Sequence, residues 1–251
     1  MNILLSTFLK GIEKSGINPV RISIVSDIPF PPGETKELGV DFFQIPRGRA
    51  IAFGSGMKLA NPDLKLIPVV GDLMTIGGNH FVHAARRNID MLIICINNYI
   101  YKKIAGKQAP VKDQNFSVYS IFEKPFNIPH LSNSCGASYI ARWTLFHTAE
   151  LIDSLAEALN KPGLSTIEIL APGADYYSGF EKIDLDLARF YYENSVIKNG
   201  ENPRKIEITD DSSIAVGRFV DKDRPTFFDI YNAQLSKVLK DKFTPYGVKN
   251  V

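Results

Sequence analysis

Residues 91–96 form an unbroken apolar run, Met-Leu-Ile-Ile-Cys-Ile, and this run constrains the fold more than any other segment. A strand with only apolar side chains is buried on both faces, and this one is far too short to span a bilayer. Further strands are predicted at 20–26, 66–70, 138–141 and 165–170, separated by segments with helical spacing of apolar residues. Strands that alternate with helices predict an α/β fold, in which helices cover both faces of a mostly parallel sheet.

Apolar residues three or four positions apart predict the helices. We expect them at 4–12 (ending near Ser15-Gly16), 49–60, 80–87, 129–135, 148–160 and 185–192, with a proline-containing loop at 29–39. A chain of 251 residues, 45% of them hydrophobic, can bury a full core. We therefore interpret residues 1–251 as a single domain, with a core at about 1–175 and a C-terminal extension at about 176–251 that wraps the surface.

Composition excludes several classes of protein. The formal net charge of +2 gives no reason to expect a nucleic-acid partner, and two cysteines cannot build a disulfide framework or a zinc site. The N-terminal residues have no basic region before their apolar run and no cleavage site of small residues, so they predict a helix rather than a signal peptide. We expect a cytoplasmic protein that binds neither a membrane nor nucleic acid.

Two of the predicted strands end in polar pairs, Gly71-Asp72 and Asn97-Asn98. Ligands of open parallel sheets bind at the carboxyl ends of the strands, so both pairs should face one crevice. A carboxylate oxygen of Asp72 and an amide oxygen of Asn98 suit Mg²⁺ bridging a diphosphate, and the amides of a helix opening at Gly77-Gly78-Asn79 could receive a phosphate. A Gly-Asp pair by itself is also an ordinary turn signal, but the second pair favours the magnesium site.

Longer segments resemble the β subunits of 2-oxoacid:ferredoxin oxidoreductases. Residues 48–64 are similar to the segment before the diphosphate motif of that family, and residues 76–90, Ile-Gly-Gly-Asn-His and onward, are similar to the segment after it. Asn97-Asn-Tyr-Ile-Tyr101 follows, and residues 135–142 and 218–226 are similar to later landmarks of the family. The resemblance covers nearly the whole chain and implies the thiamine-diphosphate-binding fold.

The resemblance also implies a site that holds thiamine diphosphate and Mg²⁺. Asp72 would ligate the metal through its carboxylate, Asn98 through its side-chain amide and Ile100 through its backbone carbonyl. His80, the catalytic candidate, would lie near the site. The expected cofactor-binding residues are Arg47, Gly71, Asp72, Leu73, Gly77, Gly78, Asn79, Asn98, Ile100 and Tyr101.

The activity implied by the resemblance needs other subunits. An α-type subunit would supply the pyrimidine-binding face and the glutamate that activates the cofactor, with or without a γ-type subunit. Together they would convert a 2-oxoacid to acyl-CoA and CO₂ and pass electrons to ferredoxin. Two alternatives remain open from the sequence: a non-catalytic structural paralogue that binds no cofactor, and a cluster-free thiamine-dependent decarboxylase.

The sequence departs from the family at several positions. The family motif Gly-Asp-Gly-Asp is shortened by two residues, so Leu73 directly follows Asp72 and is expected to crowd the site. Arg47 replaces a histidine, and the family's Thr-Gly-Gly-Gln becomes Ile-Ala-Gly-Lys at 104–107. The adjacent Lys102-Lys103 pair either attracts phosphate or is solvated surface.

None of the family's four cluster cysteines is present, since Cys95 and Cys135 lie elsewhere. Cys95 falls within the apolar run and is interpreted as a core thiol. A [4Fe–4S] cluster needs four thiolates, so we expect no cluster in this chain.

Overall fold

A central β-sheet runs through the computed structural model, which describes residues 3–29, 39–71, 73, 76–110, 124–172 and 183–247. Eight strands form this sheet: β1 (Ile22–Ser26), β2 (Asp41–Gln44), β3 (Lys65–Gly71), β4 (Met91–Asn97), β7 (Tyr139–Thr144), β8 (Leu164–Leu170), β9 (Ser195–Ile197) and β10 (Ile214–Asp221). A separate antiparallel hairpin pairs β5 (Lys103–Ile104) with β6 (Lys107–Gln108).

The strand order of the sheet is β2-β1-β3-β4-β8-β7-β10-β9. All neighbours from β2 to β7 are parallel, whereas β10 pairs antiparallel with β7 and carries β9 parallel to itself at the edge. This arrangement confirms the mostly parallel sheet predicted from the alternation of strands and helices. The chain leaves β1 toward β2 on one side and returns to β3 on the other, which places a topological switch point between β1 and β3.

Seven α-helices are described: α1 (Ile3–Ser15), α2 (Ala50–Ala60), α3 (Gly78–Arg87), α4 (Ile128–Cys135), α5 (Thr148–Asn160), α6 (Leu185–Glu193) and α7 (Phe227–Leu239). Short 3-10 helices occupy Pro19–Arg21, Pro203–Lys205 and Lys240–Lys242. All six predicted helices are present within a few residues of their expected bounds. In the described part of the chain, no helix combines the length and apolarity that crossing a membrane requires.

Two hydrophobic clusters cover opposite faces of the sheet, and alternation along β4 separates them. Leu92, Ile94 and Ile96 belong to one cluster, which also contains residues of α1 and α5. Ile93 and Cys95 belong to the other cluster, which also contains residues of α2 and α3. Side chains of a strand alternate between faces, so a strand buried in both clusters must be apolar throughout. Helices therefore lie on both faces, and the interpretation of Cys95 as a buried thiol is confirmed.

The C-terminal residues contribute more to the core than the sequence suggested. Residues 176–251 were expected to wrap the surface, which is wrong for β10, because its Ile214 and Val216 are fully buried beside β7. Polar loops on both sides of this strand hid its apolar pattern. Helix α7 does lie at the surface with no buried residue. The division of the chain at about residue 175 stays a prediction, and residues 30–38 of the predicted loop lie outside the described residues.

Candidate functional site

The carboxyl ends of β1, β3 and β4 lie side by side. Ser26 of β1 pairs with Val69 of β3, and Gly71, the last residue of β3, pairs with Ile96 near the end of β4. The segments that carry the two predicted polar pairs therefore leave the sheet next to each other. Asp72 itself lies outside the described residues, so its role as a metal ligand stays a prediction.

Asp27 ties two of these strand ends together. One carboxylate oxygen, Oδ2, accepts a hydrogen bond from the backbone N–H of Gly48 at 2.8 Å, and Oδ1 accepts one from the N–H of Gly71 at 3.0 Å. The side chain is only 1% exposed, so these charge-assisted bonds offset the loss of its hydration. The sequence predicted a strand that ends at residue 26 and gave no role to Asp27. An acidic residue directly after a parallel strand was the signal that could have found it.

A narrow cleft, with no room for a water molecule, lies at the switch point between β1 and β3. Its walls are formed by Asp27, Gly48, Ile51, Val70, Gly71, Leu73 and Gly77. The cleft contains three of the expected cofactor-binding residues, namely Gly71, Leu73 and Gly77. Its position agrees with the rule that ligands of open α/β sheets bind at the switch point.

Ile76 and Gly77, which precede α3, pack closely against Gly48 in the loop before α2. Gly48 has a φ of 72°, and a Cβ at this position would overlap the side chain of Ile76. A Cβ at Gly77 would lie 3.3 Å from the carbonyl oxygen of Leu73. Leu73 is buried in the cluster that also holds Phe81, and it forms one wall of the cleft. Leu73 is therefore a packing residue that narrows the cleft.

Helix α3 begins directly after Ile76 and Gly77. Gly77 is its N-cap residue and has no side chain that could accept hydrogen bonds from the first amides of the helix. Those amides and the positive end of the helix dipole suit an anion such as a phosphate. Gly78 is buried, Asn79 is exposed and His80 is half-buried in the first turn. The structure thus groups all four residues at one helix terminus.

The loop that follows β4 carries Asn98, Ile100 and Tyr101. The first two are half-buried, whereas Tyr101 is buried, and burial raises the pKa of its hydroxyl above the usual range. Asn97 turns the chain at the strand end, since its Oδ1 accepts a hydrogen bond from the N–H of Tyr99 at 2.9 Å. The loop is therefore anchored by a side chain that the sequence interpretation had only used as a landmark.

A buried ion pair lies beneath this loop in the middle of the sheet. Arg142 of β7 donates through Nε to Oε2 of Glu168 on β8 at 2.6 Å, and the two side chains are 1% and 0% exposed. Glu168 also accepts a bond from Nδ2 of Asn97 at 2.7 Å, and Arg142 donates to the carbonyl of Ile206 at 2.9 Å. The sequence interpretation missed this network. Opposite charges within neighbouring apolar strands were the available signal.

The basic residues expected near the site differ in their surroundings. Arg47 is half-buried directly before Gly48, at the edge of the cleft. Lys103 lies in the β5–β6 hairpin with its Nζ 3.7 Å from a carboxylate oxygen of Asp211, and the two side chains are 42% and 89% exposed. Of the two interpretations of Lys103, the surroundings favour solvated surface over a phosphate contact.

The oxygen atoms and backbone amides at the strand ends have the chemistry needed to bind Mg²⁺ and a diphosphate. Half-buried Asn98 offers an amide oxygen, the loop offers backbone carbonyls, and the terminus of α3 offers amides. No three His, Cys, Asp or Glu side chains are grouped as metal ligands in the described residues. A site made from one carboxylate, one amide and one carbonyl would not form such a group.

Comparison with known proteins first defines the class. Residues 37–169 match the family described as "Thiamine pyrophosphate enzyme, C-terminal TPP binding domain", a range that runs from the segment before β2 into β8. A solved structure, 2-oxoglutarate:ferredoxin oxidoreductase from Magnetococcus marinus, superimposes with a TM-score of 0.69 at 20% identity, covering 94% of this chain and 84% of that one. The structural likeness supports the fold.

Curated relatives then define the family. The 2-oxoglutarate synthase subunit KorB of Methanothermobacter marburgensis is 35% identical over 241 residues, which covers 90% of this chain and 82% of the relative. The subunit of the same name from Methanocaldococcus jannaschii is 34% identical and covers 94% and 90% of the two chains. The chain therefore belongs to the family of 2-oxoacid:ferredoxin oxidoreductase β subunits. The resemblance inferred from the motifs is confirmed.

Proposed function

We propose that this chain binds thiamine diphosphate and Mg²⁺ and, with other subunits, catalyses the oxidative decarboxylation of a 2-oxoacid to acyl-CoA. The observation that carries the proposal is the adjacency of the carboxyl ends of β3 and β4. The β4 end leads into Asn98 and Ile100, and the turn after β3 leads into the N-terminus of α3. The match of residues 37–169 to a thiamine-pyrophosphate-binding family supports the same site.

Each residue of the site has a proposed task. Asp72, Asn98 and the carbonyl of Ile100 would hold Mg²⁺, and the first amides of α3, at Gly77 to Asn79, would hold the diphosphate. Bound thiamine diphosphate supplies the electron sink that decarboxylation of a 2-oxoacid requires. Arg47 and Gly71 would line the approach to the phosphates, with Leu73 and Tyr101 packing around the site. His80, in the first turn of α3, would lie near the reacting groups.

The proposed activity requires other subunits. The relatives are named as subunits of 2-oxoglutarate synthase and of 2-oxoacid:ferredoxin oxidoreductases. We propose an α-type subunit that supplies the pyrimidine-binding face and the activating glutamate, with or without a γ-type subunit, and ferredoxin as the electron acceptor. We further propose that the complex is cytoplasmic.

We propose that this chain holds no iron–sulfur cluster. Four thiolates hold a [4Fe–4S] cluster, and the sequence has two cysteines. Cys95 is buried in the sheet among apolar side chains, which is unsuited to a cluster ligand. Electrons would then leave through another subunit. Iron analysis of the isolated chain tests this point: about four irons per chain would refute it.

Reconstitution tests the proposed reaction. The chain, combined with α- and γ-type partner subunits, should reduce ferredoxin when a 2-oxoacid, coenzyme A, thiamine diphosphate and Mg²⁺ are all present. Release of CO₂ without ferredoxin reduction would instead identify a decarboxylase. Absence of cofactor binding by the assembled complex would identify a structural paralogue, an outcome that the close packing at Gly48 would then explain.

A further inference from the structure

We propose that Tyr191 is a positioning residue that fixes the backbone of the loop carrying Asn98 and Ile100. This inference rests on the proposed function, because it matters only if that loop ligates the metal. Tyr191 lies in α6, about ninety residues further along the chain, outside every motif that pointed to the site.

The hydroxyl of Tyr191 holds the loop on both sides of Ile100. It accepts a hydrogen bond from the N–H of Tyr101 at 3.0 Å and donates one to the carbonyl of Tyr99 at 3.1 Å. A tyrosine hydroxyl has one hydrogen to donate, so these two bonds use it as donor and acceptor at once. The peptide units that flank Ile100 are thereby fixed in orientation.

The tyrosine itself has little freedom to move. Its side chain is fully buried, and its ring contacts the ring of Tyr101 edge-on, with centroids 5.8 Å apart. Leu187 and Ala188 of the same helix are buried in the same cluster and anchor α6.

A second anchor holds the beginning of the loop. Asn97 accepts a hydrogen bond from the N–H of Tyr99 through Oδ1. Its Nδ2 donates a hydrogen bond to Glu168, and Glu168 in turn forms the buried ion pair with Arg142. None of these bonds uses the side-chain amide of Asn98 or the carbonyl of Ile100. The two groups proposed as ligands are thus presented by a backbone that other side chains hold in place.

Loss of this support should weaken metal binding without removing a ligand. Mg²⁺ requires near-ideal octahedral geometry, so a carbonyl that can rotate binds it less well. Removing a side chain that orients a ligand typically costs about 10- to 100-fold in metal affinity. For Tyr191→Phe, which deletes only the hydroxyl, we expect an increase of about 10-fold in the dissociation constant.

The test uses Mn²⁺ as the probe, on the assembled complex in the presence of thiamine diphosphate. Free Mn²⁺ is measured by electron paramagnetic resonance for the wild type, for Tyr191→Phe and for Tyr192→Phe. Tyr192 is the matched control, because it is the next residue of α6 and its side chain is 45% exposed. We expect weaker binding only in Tyr191→Phe, and we expect saturating Mg²⁺ to restore its turnover, which a globally misfolded complex would not show.

The outcomes separate this inference from the proposed function. If the wild type binds Mn²⁺ with thiamine diphosphate and Tyr191→Phe binds it equally well, the inference fails and the function stands. Equal weakening in both variants also overturns the inference, since it would reflect a general disturbance of α6. A wild type that shows no cofactor-dependent Mn²⁺ binding overturns both.

Hydrogen exchange gives a measurement that does not depend on metal. The N–H of Tyr101 should be protected in the wild type and should exchange faster in Tyr191→Phe, with no such change in Tyr192→Phe. An unprotected Tyr101 amide in the wild type would contradict the proposed anchoring, because the bond to Tyr191 would not be maintained in solution.

Discussion

Replacement of Glu168 by glutamine tests the buried ion pair that supports the candidate site. The substitution removes the charge that faces Arg142 and leaves the guanidinium buried, with the carbonyl of Ile206 as an acceptor. Breaking one partner of a buried pair typically costs about 3–5 kcal/mol. Glutamine keeps one acceptor oxygen, so we expect a loss of about 3 kcal/mol, the lower end of that range.

Glu157→Gln is the matched control for this substitution. Glu157 pairs with Arg218 at 3.0 Å, but the two side chains are 47% and 44% exposed. Exposed pairs contribute only about 0.2–1 kcal/mol because water and salt screen them. The same chemical change should therefore lower the free energy of unfolding at least about three times as much at the buried position as at the surface.

Urea denaturation followed by tryptophan fluorescence measures both variants. Trp143 is the single tryptophan of the chain, it is buried, and it directly follows Arg142 in β7. A Glu168→Gln variant within about 1 kcal/mol of the wild type would refute the argument. A double variant, Arg142→Met with Glu168→Leu, should recover much of the loss, since apolar residues of similar volume often replace a buried pair without cost.

Three further predictions follow from the site and its surroundings. Gly48→Ala should destabilise the protein more than Gly16→Ala. Both glycines have a positive φ, which costs about 1–2 kcal/mol for alanine, but only a Cβ at Gly48 would overlap a neighbour, Ile76. Equal losses of stability in urea denaturation would contradict this packing. Burial lowers the pKa of His147 in the folded protein, so as the pH falls below the ordinary value of 6.5 the unfolded chain binds this proton more readily than the folded one. The free energy of unfolding should therefore decrease as the pH falls below 6.5. His147→Gln should reduce this decrease, and an unaltered pH profile would contradict the prediction. Asn98→Ala should weaken retention of thiamine diphosphate during dialysis by about 10-fold or more; full retention would disprove its assignment as a ligand.

The sequence predicted those elements whose apolar residues follow a regular pattern. Strand β4 was recognised because both of its faces are covered, and α5 was predicted at its observed bounds because its apolar residues follow a helical period. Strand β2 was missed, since its four residues at the sheet edge are largely exposed and show no apolar pattern. Helix α7 was missed although its N-terminus carries a capping box between Thr226 and Asp229.

The candidate site was predictable where it follows the strands and not where it depends on tertiary packing. Asn98 and Ile100 come directly after β4, so the topology of a parallel sheet already indicates their edge. Tyr191 could not be assigned, because a buried tyrosine in a helix has the same sequence signature whether or not its hydroxyl holds a distant loop. Asp27 lies between these cases, since its position after β1 is visible in the sequence but its two glycine partners are not.

The cofactor content of the purified complex tests the central claim most directly. Thiamine diphosphate, released and converted to thiochrome, should be found at about one molecule per chain in the wild type. Asp72→Ala should leave almost none, because the proposed carboxylate ligand of the metal would be lost. A wild-type complex that contains no thiamine diphosphate when Mg²⁺ is in excess would contradict the account and leave a family member that retains only the scaffold.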